Sequence, residues 1–258
     1  MDNKEFIDYL TKYFGNKVLN VLEETEKGVF INSSKIEAYN SANPITIDKC
    51  TDCIATKHRQ DLPFWIDNYS NKKIMVIAQD AGKGDEDKKI NTVFDMHSFY
   101  LSEEKYISKH RTHHKYIDLF RKITGKNNFL EDIYFTDIIK CAFSSDQKIK
   151  SNLCLCSKNI FQEITLVNPK TIILMGTQAK RVFEEQIQLH DIKVVLVKET
   201  SVQINNKQSV KFVHLKTNSF NVFFMPHFAG NLHISNDFKA IFESFKEECC
   251  SYINQTTK

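Results

Sequence analysis

The chain has 258 residues, 41% of them hydrophobic, and a formal net charge of +3. That composition supplies a sizeable core but too little charge for nucleic-acid binding to rest on the whole surface, so such a role must come from local patches. No stretch approaches the ~20 apolar residues of a membrane span, and Met1-Asp2-Asn3-Lys4-Glu5 does not read as a signal peptide, so a cytoplasmic monomer with no membrane contact is expected.

Residues 3–25 carry apolar positions at helical spacing, with Gly15 as a break, and predict one or two amphipathic helices. Residues 33–63 are polar and irregular. A strand is expected over Lys73–Ala78, followed by the turn-forming Gly82-Lys83-Gly84-Asp85. Helical material over about 103–124 ends at Gly125. Ile133–Ile139 reads as a second strand, and 156–167 as a helix stopped by Pro169.

Thr171-Ile172-Ile173-Leu174-Met175-Gly176 is a continuous apolar run of the kind buried on both faces of a parallel sheet. A helix from Thr177 to about Gln186 follows. Strands are expected near 193–198, 210–215 and 221–226, with a last helix from about Asp237. Strands alternating with helices predict an α/β fold: one domain with a central, mostly parallel sheet flanked by helices on both faces.

Two strand ends stand out. Ile77-Ala78-Gln79-Asp80-Ala81-Gly82 and Phe224-Met225-Pro226-His227-Phe228-Ala229-Gly230-Asn231 each leave an apolar run for small and polar residues. In an open α/β sheet, ligands bind beyond the carboxyl ends of the strands. The two ends would therefore bring a carboxylate, Asp80, and an imidazole, His227, to one crevice. With no obvious nucleophile beside them, such a pair suits charge stabilisation or water activation.

Seven cysteines without a secretion signal point to metal or redox use, not to a disulfide framework. Cys50 and Cys53 form a C-x-x-C, Cys141, Cys154 and Cys156 cluster later, and Cys249-Cys250 reads as incidental. Between Lys105 and Lys126 lie seven Lys/Arg and three histidines. This stretch is either a phosphate-tracking patch or a solvated helix face.

Taken in order, Cys50/Cys53, Ala78–Gly82, Tyr134–Cys141, Cys156, Pro169–Gly176 and His227–Ala229 resemble the motifs of the uracil-DNA glycosylase superfamily, above all its iron–sulfur family-four branch. The resemblance runs from about residue 50 to 235, leaving 1–45 as a helical N-terminal extension. It implies an enzyme that flips a base out of DNA and hydrolyses its N-glycosidic bond. It implies a 4Fe-4S cluster on Cys50, Cys53, Cys141 and Cys156, with Cys154 the other candidate for the fourth ligand. Four thiolates also suit zinc, which stays open as the alternative.

Asp80 matches the aspartate of the family-one Gly-Gln-Asp-Pro-Tyr loop, where a carboxylate under the sugar would stabilise an oxocarbenium-like centre and orient water. The plainer reading is an Asx-type turn. His227 matches the imidazole that donates to the departing base, although His-Phe-Ala replaces His-Pro-Ser. Gln79, Gly82, Asp137 and Asn231 are the candidate base-binding residues; Lys83 and Leu232, with Lys109 and Arg111 from the basic stretch, are the candidate DNA contacts. Leu232 is a candidate wedge filling the vacated stack, or an ordinary apolar loop residue.

Asp137 departs from the resemblance. At its position in Tyr-Phe-Thr-Asp-Ile-Ile-Lys-Cys the relatives carry Asn, whose amide suits uracil. An ionised carboxylate only accepts hydrogen bonds, so it would oppose uracil O4 but could accept from the N4 amine of cytosine. Gly82 replaces a family-one tyrosine that excludes bases substituted at C5. Together they point to a modified cytosine, 5-hydroxymethylated or glucosylated, in an antiphage setting. The alternatives are a uracil-DNA glycosylase of base-excision repair, an idle DNA-binding relative, and a nucleotide-binding α/β protein. Gly82-Lys83-Gly84 lacks the spacing of a phosphate loop, which disfavours the last.

Overall fold

In the computed structural model the described residues are 3–14, 16–20, 22–31, 72–80, 111–127, 129–139, 160–205, 208–227 and 236–256. Helix α1 (Asn3–Phe14) and a short 3-10 turn precede a hairpin of β1 (Leu22–Thr25) and β2 (Gly28–Ile31). Then come β3 (Ile74–Asp80), α2 (Arg111–Thr124), β4 (Ile133–Ile139), α3 (Ile160–Val167), β5 (Thr171–Met175) and α4 (Thr177–Leu189). The strands β6 (Val195–Asn205), β7 (Gln208–Lys216) and β8 (Asn221–Met225), and the helix α5 (Asn236–Thr256), complete the chain.

The main sheet has the order β4-β3-β5-β8-β7-β6. Its first four strands are parallel, and β7 and β6 extend it antiparallel. Every residue of β4, β5 and β8 is buried, which explains their unbroken apolar runs. One face packs on α1, α3 and α4 through Phe6, Leu10, Ile164, Val182 and Phe183. The other packs on α2 and α5 through Ile117, Phe120, Phe242, Phe245 and Cys249. The expected single α/β domain with helices on both faces is what forms.

Residues 22–25 are a strand and not the helical continuation expected. Gly28, at φ 142°, takes a backbone that other residues avoid, and so closes a tight turn. The two flanking segments then pair, Leu22 with Ile31, burying Leu22 and Val29. Two other elements run longer than their sequence suggests: β6 by seven residues at its carboxyl end, to Asn205, and α4 to Leu189.

The N-terminal helix presents Phe6, Tyr9 and Leu10, one stripe at helical spacing, to the first core. Tyr9 and Tyr134 donate to the two oxygens of Glu163 at 3.4 and 2.8 Å. Glu163 is fully buried. Two phenols thus satisfy a carboxylate that would otherwise be costly to bury.

From β3 the chain crosses first to β4 on one side and then to β5 on the other. This reversal between β3 and β5 is the point where open α/β sheets form their ligand crevice.

Candidate base-binding site at the carboxyl edge of the sheet

Three strand ends converge at that edge. Asp80 is the last residue of β3, opposite Ile139 of β4, and Ala78 is opposite Asp137. The backbone of Asp80 is described, but its side chain is not. Gln79 is half-buried. Asp137 is 3% exposed. It alternates with Ile133 and Phe135 and so belongs to the face covered by α2 and α5.

The middle strand, β5, ends at Met175 and hands over to Gly176. The Gly176 N–H donates to the Met225 carbonyl at 2.9 Å, extending the β5–β8 pairing past its last residue pair. Gly176 has φ 92°, a conformation side-chain-bearing residues avoid, and a Cβ placed there would stand 3.3 Å from the Cβ of His227. His227 itself is exposed, two residues beyond the buried Met225. Adjacent strands lie about 4.8 Å apart. The strand bearing Asp80 and the strand leading to His227, with β5 between them, are therefore about 10 Å apart.

Gly176 was not singled out as a site residue from sequence. The available signal was a lone glycine between an apolar strand and a helix, a position that often marks close backbone approach. What constrains it comes from a strand distant in sequence.

The basic stretch divides. Lys122 of α2 lies 3.5 Å from Glu243 and 3.9 Å from Glu247, both on α5. Lys126 lies 2.8 Å from Asp132, whose hydrogen bond raises the lysine pKa. Lys246 of α5, 3% exposed, contacts Asp118 at 2.6 Å and Glu243 at 2.5 Å. Burial pulls the Lys246 pKa down, but these two bonds outweigh it and leave the pKa raised. The carboxyl end of the 105–126 stretch thus has acidic partners of its own. There the lysines neutralise acids of α5 and of the turn before β4, and α2 is clamped to α5.

Arg111 opens α2, and its side chain lies outside the described part. Gly82, Lys83, Lys109, Asn231 and Leu232 lie outside the described residues. So do Cys50, Cys53, Cys141, Cys154 and Cys156. Among the described residues there is no group of three or more His, Cys, Asp or Glu able to hold a metal ion, and no helix is long and apolar enough to cross a membrane. Cys249 is a core residue whose burial pushes its thiol pKa well up, and the half-buried Cys250 donates to the Lys122 carbonyl at 3.3 Å.

Residues 66–248 match the model of the uracil DNA glycosylase superfamily, well over half of the chain. The chain belongs to that superfamily. Its matched span contains Asp80, Asp137, Gly176 and His227, the whole six-stranded sheet, Cys141 and Cys156. Helix α1, the β1–β2 hairpin, Cys50 and Cys53 precede it. No curated protein gives a significant match. Members of that superfamily act on DNA, usually as DNA glycosylases.

Proposed function

We propose that this protein is a monofunctional DNA glycosylase that hydrolyses the N-glycosidic bond of a flipped cytosine-type base enlarged at C5. The observation that carries the reading is Asp137: a carboxyl group, 3% exposed, level with Ala78 at the carboxyl edge of the sheet. A buried acceptor is satisfied by an exocyclic amine and opposed by a carbonyl, and a wrong polar match in a buried reading site costs orders of magnitude in rate. Cytosine presents the amine and uracil the carbonyl.

In this reading Asp80 stabilises the oxocarbenium-like sugar and orients the attacking water. His227 donates a hydrogen bond to the leaving base as negative charge develops on it. Gln79, Gly82 and Asn231 complete the base pocket. A 4Fe-4S cluster on Cys50, Cys53, Cys141 and Cys156 would be structural, tying the segment before β3 to the residues that follow β4 and precede α3. Release of unmodified cytosine would damage the cell's own genome. Selectivity for 5-hydroxymethylated or glucosylated cytosine, and a role against phages carrying it, follow from that constraint.

The test is one duplex sequence carrying in turn uracil, cytosine, 5-hydroxymethylcytosine and its glucosylated form, scored as alkali-labile strand breaks, with Asp137→Asn alongside. Breaks are expected only with the modified cytosines, and the variant should move activity towards uracil. Release of uracil alone by the unaltered protein would return it to ordinary uracil repair.

A further inference from the structure

One row of side chains crosses the sheet at its carboxyl edge. Ala78 pairs with Asp137 across β3 and β4. The pairing of β3 with β5 runs to Ile77–Leu174, which puts Ala78 level with Met175, and Met175 pairs with Met225. Ala78, Met175 and Met225 all pack on the α2/α5 side, the side to which Asp137 also belongs.

Three members of the row are nearly inaccessible: Asp137 at 3%, Met175 at 5% and Met225 at 0% exposure. Ala78 is only half-buried. Directly beneath it on the same strand, Val76 and Ile74 are fully packed at 0% and 2%. The dense core therefore ends at Val76. Two residues further along the strand, the row dips at its smallest member, between a carboxyl group and a thioether.

We propose that Ala78 is a base-binding residue that sets access to the site: its methyl group keeps open a notch that seats the edge of the base beside Asp137. A planar ring entering there would meet Asp137 on one side and the polarisable Met175 on the other. The inference rests on the glycosylase reading for its ligand class and deepens it by naming what gives the base access to Asp137. A Val or Ile at 78 would fill the notch. Hydrophobic enzyme pockets in general set the scale: one methylene too many or too few changes discrimination about 10- to 200-fold.

The experiment reads the seat without DNA and without chemistry. Saturation transfer from the full-length protein to free cytosine or free uracil is measured by ligand-observed NMR at millimolar base, for the unaltered protein, Ala78→Gly, Ala78→Val, Ala78→Ile and Asp137→Asn. Circular-dichroism melts confirm that each variant is folded. Should Ala78→Ile fail to fold, Ala78→Val carries the comparison.

Transfer to cytosine is expected in the unaltered protein and in Ala78→Gly, with a loss of about tenfold or more in Ala78→Val and Ala78→Ile. Asp137→Asn should change the ratio of cytosine to uracil, whereas the larger residues at 78 should remove both alike. No transfer in the unaltered protein, or equal transfer in a folded Ala78→Ile, would overturn the proposal. Base binding governed by position 78, in a protein that cleaves none of the four duplexes, would keep the seat and reject the glycosylase reading.

Discussion

Gly176 and His227 stand in near-contact: a Cβ on Gly176 would lie 3.3 Å from the His227 Cβ, on a backbone with φ 92°. A side chain at position 176 would therefore press on the exit of β8, and the His227 Cβ would have to give by a few tenths of an ångström. The contact ties the imidazole loop to the strand lying between it and the strand of Asp80.

Gly176→Ala should accordingly do two things. Placing a Cβ on this extended, positive-φ backbone (φ 92°, ψ 159°) costs about 1–3 kcal/mol, readable by chemical denaturation. It should also displace His227, lowering turnover beyond what the stability loss explains. In a double-mutant cycle with His227→Ala, the turnover costs should be far from additive, since both act on one group. Additive costs would show that Gly176 serves the fold alone.

Asp80→Asn preserves size and removes the charge. DNA affinity should stay nearly constant while turnover falls by ~10²-fold or more, the scale of removing one preorganised electrostatic group. Full activity in this variant would assign the cation-stabilising role to another group.

The sheet was legible because strands buried on both faces need continuous apolar sequence, and Thr171–Met175 and Asn221–Met225 have it. The strand-end rule then located Asp80 and His227 without any knowledge of their neighbours. The β1–β2 hairpin was not legible. Val18, Leu19, Val21, Leu22, Glu23 and Glu24 have helical spacing and good helix formers, and only the turn at Gly28 overrides them. Nor could sequence show that Ala78 stands level with Asp137 and Met175, since register is a property of paired strands. Nor could sequence show that the acids facing the exposed Lys122 come from α5.

Lys246 offers a stability test. Its partners Asp118 and Glu243 have side chains 55% and 53% exposed, while its own is 4% exposed. Removing both acids leaves a buried ammonium without its two carboxylates, so Asp118→Ala/Glu243→Ala should destabilise by up to about 3 kcal/mol. Lys246→Met removes the charge and keeps the volume, and should cost less. Because the Lys246 pKa is raised above 10.5, the ion-pair contribution is complete below pH 10.5 and is lost only as pH climbs through the folded-state value. Urea midpoints of the double variant and the unaltered protein should thus differ by a constant amount from pH 7 to 10 and converge above that. A difference that fades between pH 7 and 9 would refute this assignment.

Protein purified in air should be brown, with a broad absorbance near ~400 nm from thiolate-ligated iron. Cys141→Ala should lose both the colour and much of the soluble yield, whereas Cys249→Ser, changing a core residue, should keep the colour. Colourless protein carrying stoichiometric zinc would replace the cluster with the zinc alternative and leave the fold unaffected.

The two ends of the basic stretch should answer charge reversal differently. At the carboxyl end, Lys122 and Lys126 already face Glu243, Glu247, Glu131 and Asp132. Lys122→Glu/Lys126→Glu therefore sets like charges against one another and should lower the melting temperature, with a small effect on the salt dependence of DNA binding. Lys109 and Arg111 at the other end carry the proposed phosphate contacts. Lys109→Glu/Arg111→Glu should weaken binding to every sequence alike and flatten the slope of log affinity against log salt by about one for each phosphate left without its cation. Fluorescence anisotropy over a salt series reads both pairs on the same duplex. If Lys109 and Arg111 change nothing while Lys122 and Lys126 change the slope, the DNA path runs along the α2–α5 seam and the proposed division of the stretch is reversed.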